Sequence, residues 1–239
     1  AISIHHQADR YCKKFRTYDH LVTMLYGIFN RCTSLREVAT GMLALEQRVS
    51  HLGIKHYPRR STISDANTRR TDAVFEDIYY HLYQRYSPLL SDSRSCSKDC
   101  RTYIFDASTI TLFHEVLKGT GLPSSAGRRK GGIKVHTLIR SDQDVPCMIR
   151  YSAACRNDAQ FLKQVNLPTG SVIVFDKGYP DYVSYNRFSD NKVTWVTRRR
   201  INAVYSLVGK RPVLDKQRSA GVKQDKFILI GHAHNKNKI

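Results

Sequence analysis

Apolar residues recur at helical spacing through the first ninety residues. Leu21, Val22, Leu25, Tyr26, Ile28 and Phe29 fall near the 3.6-residue period, and Thr17 or Asp19 would open their helix. Ser34-Leu-Arg-Glu37 has the S-x-x-E form of a capping box. It predicts a second helix carrying Leu35, Val38, Ala39, Met42, Leu43 and Leu45. Pro58-Arg-Arg-Ser61 reads as a turn into a short third helix with Ser61 as its N-cap. Ile63 and Ala66 would face inward, with Arg59, Arg60, Asn67, Arg69 and Arg70 on the exposed side. Thr71 would cap a fourth helix through Tyr86, with Val74, Phe75, Ile78, Tyr79, Leu82 and Tyr83 on its apolar face.

The pattern breaks between Ser87 and Arg101, where Pro88 and a Ser, Asp, Lys and Cys-rich stretch read as a linker. Beyond it the texture turns to β. Tyr103-Ile-Phe-Asp106 is a short apolar strand ending in an acid, and Gly119 to Gly132 is a loop rich in Gly, Ser, Arg and Lys. Ile133–Arg140 and Val145–Tyr151 read as strands of a hairpin joined by Ser141-Asp-Gln-Asp144. Asn157 or Asp158 would cap a helix through Val165. Ser171-Val-Ile-Val-Phe-Asp176 is again an apolar strand ending in an acid. A helix over Tyr182–Ser189 and a strand over Lys192–Arg198 follow. Three sequential strands followed by alternating helix and strand predict a mixed α/β sheet behind an all-α segment. The expected domains are 1–95, helical, and 96–239, α/β.

Charge changes the picture more than composition does. The 239 residues hold 39 Lys and Arg against 20 Asp and Glu, a formal +19, with 41% hydrophobic residues. Such an excess favours a polyanionic partner, since a small domain needs a net charge of only about 2–8 for solubility. Residues 185–239 carry thirteen Lys and Arg and three acids, all Asp. No apolar run approaches a membrane span, and no secretory leader is visible. The reading is therefore a cytoplasmic protein, and the start at Ala1 suggests a fragment or a processed form. Six cysteines are scattered. Cys96 and Cys100 have a C-x3-C spacing, but no matching second pair follows, so free thiols in a reducing compartment are expected over zinc.

The chemistry lies at two strand ends, Ile104-Phe105-Asp106 and Val174-Phe175-Asp176. A carboxylate just past a buried strand sits at the sheet rim, where α/β proteins bind ligands. Two on neighbouring strands would repel each other unless a cation lay between them. Magnesium suits such oxygen donors, and paired metals polarise both the attacking and the leaving oxygen of a phosphodiester. The plain alternative for either Asp is a turn former or helix cap. Lys130-Gly-Gly-Ile-Lys134 would bring amides and ammonium groups to phosphate, without the form of a nucleotide-binding P-loop. Lys177 reads as a phosphate contact or a solvated charge, and His136 as a core, surface or catalytic histidine. Arg198, Arg199 and Arg200 read as DNA-backbone contacts. The helix from Ser61 to Arg70 has the place of a recognition helix in a helix-turn-helix, or is a plain surface helix.

Taken together these stretches resemble the bacterial DDE transposases of the insertion-sequence-four family. The matching segments are Tyr11–Arg36, Pro58–Asn67 (PRRSTISDAN), Tyr103–Phe113 (YIFDASTITLF), Lys130–Thr137 (KGGIKVHT), Val172–Tyr182 (VIVFDKGYPDY) and Trp195–Arg198 (WVTR), in the family's order. The resemblance implies a ribonuclease H-like catalytic domain behind a helical DNA-binding domain. It implies metal-dependent cleavage and strand transfer at insertion-sequence ends, with magnesium or manganese as the ion and a homodimer on DNA. Asp106 and Asp176 fall on the family's first and second catalytic, metal-binding Asp.

One part of the family pattern is missing. Its third acid is a Glu on a late helix within a Tyr-Arg-Glu-Lys signature, and this chain has no Glu after Glu115. Residues 201–230 resemble only the beginning of the β-rich segment that the family inserts before that helix. Asp158, Asp181, Asp215 and Asp225 are weak local substitutes. The expectation is a catalytic domain truncated at its C-terminus, with a non-catalytic DNA-binding remnant as the alternative.

Overall fold

The computed structural model describes residues 1–45, 48, 50–54, 56–90, 101–112, 120 and 131–230. The chain divides into two compact units, Ala1–Pro88 and Leu89–Ile239. Cys96, Cys100, Lys130, most of the Gly119 to Gly132 loop and the tail from Gly231 lie outside the described residues.

The first unit is helical. A short α1 (Ile2–His5) precedes α2 (Thr17–Phe29), α3 (Leu35–Ala44), α4 (Arg60–Arg69) and α5 (Asp72–Tyr86). Val38, Met42, Ile54 and Ile63 form its buried centre, with Val22, Met24, Tyr26 and Leu35 packed around them. The cap at α3 differs slightly from the expected box. Ser34 Oγ accepts from the Glu37 amide at 3.3 Å, whereas the Glu37 carboxylate reaches back to the Thr33 amide at 2.6 Å. Helix α4 starts two residues earlier than expected: Arg59, not Ser61, is the N-cap, and it makes no side-chain cap bond. Arg70 corrects the sequence reading. It is buried, not on the exposed side, and donates to the Phe15 carbonyl at 2.6 Å and to Asp9 at 3.3 Å. A guanidinium can be buried there because both acceptors are brought to it by the segment before α2.

The second unit is built on one mixed sheet. Its strands are β1 (Thr102–Thr111), β2 (Gly132–Arg140), β3 (Val145–Ala153), β4 (Val172–Phe175) and β5 (Thr194–Val196), in the order β3-β2-β1-β4-β5. The first three pair antiparallel, whereas β4 pairs parallel to β1 and β5 parallel to β4. The hairpin turns at Ser141–Asp144, with Asp144 at φ +53°. Helices α6 (Ala159–Leu162) and α7 (Tyr182–Asp190) supply the crossovers. The α6 segment is shorter than expected, and it is held by a residue that periodicity could not single out. The Arg187 guanidinium donates to the carbonyls of Leu162, Lys163 and Val165 at 2.6–3.0 Å, satisfying groups that a helix end leaves open. A separate hairpin, β6 (Tyr205–Arg211) and β7 (Asp225–Ile230), brackets a short α8 (Asp215–Ser219).

Strand alternation decides which residues are covered. Tyr103 and Phe105 on β1, Leu138 on β2 and Ile173 and Phe175 on β4 pack with Phe161, Leu162, Val165, Tyr185 and Phe188 in one core. The opposite face carries Ile104, Ile110 and Val196, which are exposed among the described residues.

Candidate functional site

Asp106 and Asp176 meet because of the parallel register of β1 and β4. Phe105 pairs with Phe175 at the last rung of that ladder, so Asp106 and Asp176 are the next residue on each strand. Neighbouring strands lie about 4.8 Å apart, and the period of two turns both carboxylates to the face opposite the core. Both line one open cleft of about 570 Å³, together with Ile104, Val174, Val196 and Arg198. Asp106 is not at a strand end, as the sequence suggested. Beyond it β1 continues to Thr111, because Asp106 through Thr111 keep their antiparallel pairing with Thr137 through Gly132 of β2.

The two carboxylates have different surroundings. Asp176 Oδ1 accepts from Arg198 Nη2 at 2.8 Å. That hydrogen bond first, and the backbone amides of Lys177 and Gly178 after it, hold the Asp176 carboxyl below its ordinary value. Asp106 has no hydrogen-bond or ion-pair partner among the described residues. Below the pair, Tyr179 is buried against Phe105 and Phe175. Burial, then the fields of Asp158, Asp106 and Asp176, push its phenol well above the usual value, so it stays protonated. Gly178 is not required by its backbone, since its φ is not positive. A Cβ there would meet Asp176 Oδ2 at an ordinary 3.7 Å.

The three arginines after β5 gather beside this pair, each with a different partner. Arg198 takes Asp176; Arg200 donates to the carbonyls of Lys177 at 2.8 Å and Gly178 at 3.3 Å. Arg199 lies over the Tyr205 ring at 4.8 Å and donates to the Ala203 carbonyl at 3.2 Å. With Lys177, Tyr182, Trp195 and Ile228 they line a second cleft of about 310 Å³. Lys177 is exposed there.

Two residues expected near phosphate or catalysis are placed elsewhere. Lys134 points into the covered layer, and its ammonium lies 2.6 Å from Asp158 Oδ1. This corrects its reading as a DNA contact: a buried ammonium paired with a carboxylate is not presented to phosphate. The same pair commits Asp158, and no group of three His, Cys, Asp or Glu that could hold a metal exists among the described residues. His136 is a core histidine, stacked on Phe161 at 3.6 Å between centroids, with Nε2 at 3.0 Å from Ser152 Oγ. In the helical unit Arg59, Arg60 and Arg69 are exposed. Arg59 and Arg60 sit at the start of α4, whose first turn has no acid. Open N–H groups and the positive end of the helix dipole add to their charge there.

Residues 98–236, more than half of the chain, match the family described as Transposase DDE domain. Residues 1–55 match a family described as a domain of unknown function. A curated relative, "Putative transposase y4zB" of Sinorhizobium fredii, is 28% identical over 158 residues, which cover 65% of this chain and 41% of the relative. The chain thus spans under half the length of that relative. Among solved structures, a piggyBac transposase synaptic complex with hairpin DNA aligns over 84% of this chain and 46% of its own, at 11% identity and a TM-score of 0.37. The Mos1 strand transfer complex aligns over 81% of this chain and 62% of its own, at 9% identity and a TM-score of 0.26. On the match over residues 98–236, which takes in all five strands of the sheet, the chain belongs to the Transposase DDE domain family of bacterial transposases, and its five-stranded sheet is the ribonuclease H-like sheet of that domain.

Proposed function

We propose that this chain is part of an insertion-sequence-four transposase, cleaving and rejoining DNA at insertion-sequence ends with a divalent cation. The observation that carries the reading is the placement of Asp106 and Asp176 one residue past the last rung between β1 and β4, facing one cleft inside the family-matched segment.

The residues present suit magnesium or manganese. The donors are carboxylate oxygens, the hard type those ions prefer, and Asp176 already attracts a cation. Asp106 and Asp176 would hold the ion. Bound there, it would lower the pKa of an attacking water and offset charge on the phosphodiester. Lys177, Arg198, Arg199 and Arg200 would set the DNA backbone against the cleft, and Lys130 belongs to the same proposal. In the helical unit, Arg59, Arg60 and Arg69 would contact phosphates, with α4 as the candidate recognition helix. The reading also implies a homodimer on paired ends in the bacterial cytoplasm. Among the described residues no helix is long and apolar enough to cross a membrane.

Incubating the chain with insertion-sequence-end DNA and Mg²⁺ tests this. Nicking and strand joining are expected, with loss by about 10³-fold or more in Asp106→Asn and Asp176→Asn while DNA affinity is retained. A second reading rests on the two-carboxylate set: a remnant that binds DNA without cutting it. Salt-dependent binding with no cleavage under any divalent ion would favour it, and no binding at low salt would overturn both.

A further inference from the structure

We infer that Arg198 is a built-in counter-cation for Asp176, which a divalent ion displaces and which then turns to a phosphate of the bound DNA. The inference rests on the proposed metal site. Its geometry follows from strand register. Val174 pairs with Val196 across β4 and β5, so Asp176 and Arg198 lie two residues further on, on the same face. The guanidinium therefore reaches Asp176 Oδ1 at 2.8 Å without any special loop.

Three features make this contact one for exchange rather than for permanent structure. First, it is exposed: the Arg198 side chain is 76% accessible and the Asp176 side chain 47%. An ion pair in that setting is weak and holds its geometry loosely, so a divalent ion outcompetes it. Second, its neighbours differ. Arg200 and Arg199 are tied to backbone carbonyls, which no metal would take from them, whereas the Arg198 partner is the candidate ligand itself. Third, Arg198 lines both clefts, the one with Asp106 and Asp176 and the one with Lys177, Arg199 and Arg200. Released from Asp176, it needs only a side-chain rotation to join the latter cations. Metal and DNA backbone would then bind with mutual reinforcement, because each favours the released rotamer.

Mn²⁺ titration of the full chain, followed by the EPR signal of free Mn²⁺, reads the competition directly. Arg198→Ala and Arg198→Gln are expected to bind Mn²⁺ about three- to tenfold tighter than the parent chain, since either loses the competing charge. In an Asp176→Asn background the same substitutions should change nothing. Mn²⁺ should tighten binding of a short DNA duplex in the parent chain, and less so in Arg198→Ala. Unchanged or weaker Mn²⁺ affinity in both Arg198 variants, with affinity still lost in Asp106→Asn, overturns the exchange while leaving the metal site standing. Mn²⁺ affinity indifferent to Asp106→Asn and Asp176→Asn removes the metal site and the exchange together.

Discussion

The ammonium of Lys134 lies 2.6 Å from Asp158 Oδ1, joining the first part of β2 to the residue that precedes α6. The contact ties the covering layer to the sheet and uses two groups that the sequence alone offers to DNA and to metal. Lys134→Met leaves Asp158 without its partner, and Asp158 is only partly exposed. A loss of about 1–3 kcal/mol in denaturant unfolding is expected. The salt dependence of DNA binding should stay as in the parent chain, because no phosphate contact is removed. A drop of about one in that slope would return Lys134 to the DNA interface.

Helices α2 and α3 touch through Gly27. A Cβ built there would sit 2.8 Å from Val38 Cγ2, closer than van der Waals contact permits. Val38 is buried and β-branched, so it cannot swing aside cheaply. Gly27→Ala should destabilise the helical unit by about 1–3 kcal/mol despite its better helix propensity. Gly27→Ala with Val38→Ala should cost less than the two separate losses added together, a coupling that a double-mutant cycle measures.

Arg59 is the N-cap of α4, with Arg60 following, where a helix prefers an acceptor side chain and an acid. Arg59→Ser should therefore stabilise the chain by about 0.5–1 kcal/mol, as a cap is gained and an unfavourable charge is removed. The same change should reduce the salt slope of DNA binding by about one if Arg59 meets a phosphate. Stability and affinity move in opposite directions, so one thermal melt and one salt titration suffice. A stabilised variant with unaltered salt slope would take Arg59 out of the interface.

Two buried histidines set an acid limit on stability. Burial first, and then the Lys134 charge, lowers the pKa of His136 despite the opposing field of Asp158. Burial first, and then Arg70, lowers that of His20, against its hydrogen bond with Asn67. In the unfolded chain both take up a proton near pH 6.5, the ordinary histidine value. Below that pH the unfolded state binds more protons than the folded one, so stability falls as pH falls. It is held in full above pH 6.5. Unfolding curves from pH 8 to pH 5 should show this decline, and His136→Asn and His20→Asn should each flatten part of it. A profile level through pH 5.5 would mean that the rings are charged when folded.

The sequence by itself determined where most of the larger elements lie. Helical spacing placed α2, α3 and α5, and the apolar runs placed β2, β3 and β4, because periodicity and residue type are local properties. Asp106 and Asp176 stood out as candidates because each follows a short apolar run, whereas only the structure shows that β1 runs on past Asp106 and that its outer face is exposed. What the tertiary structure decided is which charges are available. Arg70 and Lys134 look like any other surface cations in sequence. Their partners stand 61 and 24 residues away, and only packing brings those carboxylates within reach. Arg187 was invisible for the same reason, since its carbonyl partners belong to a segment more than twenty residues earlier. Even the carboxylate pair gained its neighbour this way. Arg198 faces Asp176 because the parallel register of β4 and β5 carries a 22-residue separation to one point on one face. Hydrophobic pattern fixes where a strand lies; the partner across the ladder, set by register, fixes what its charged end can bind.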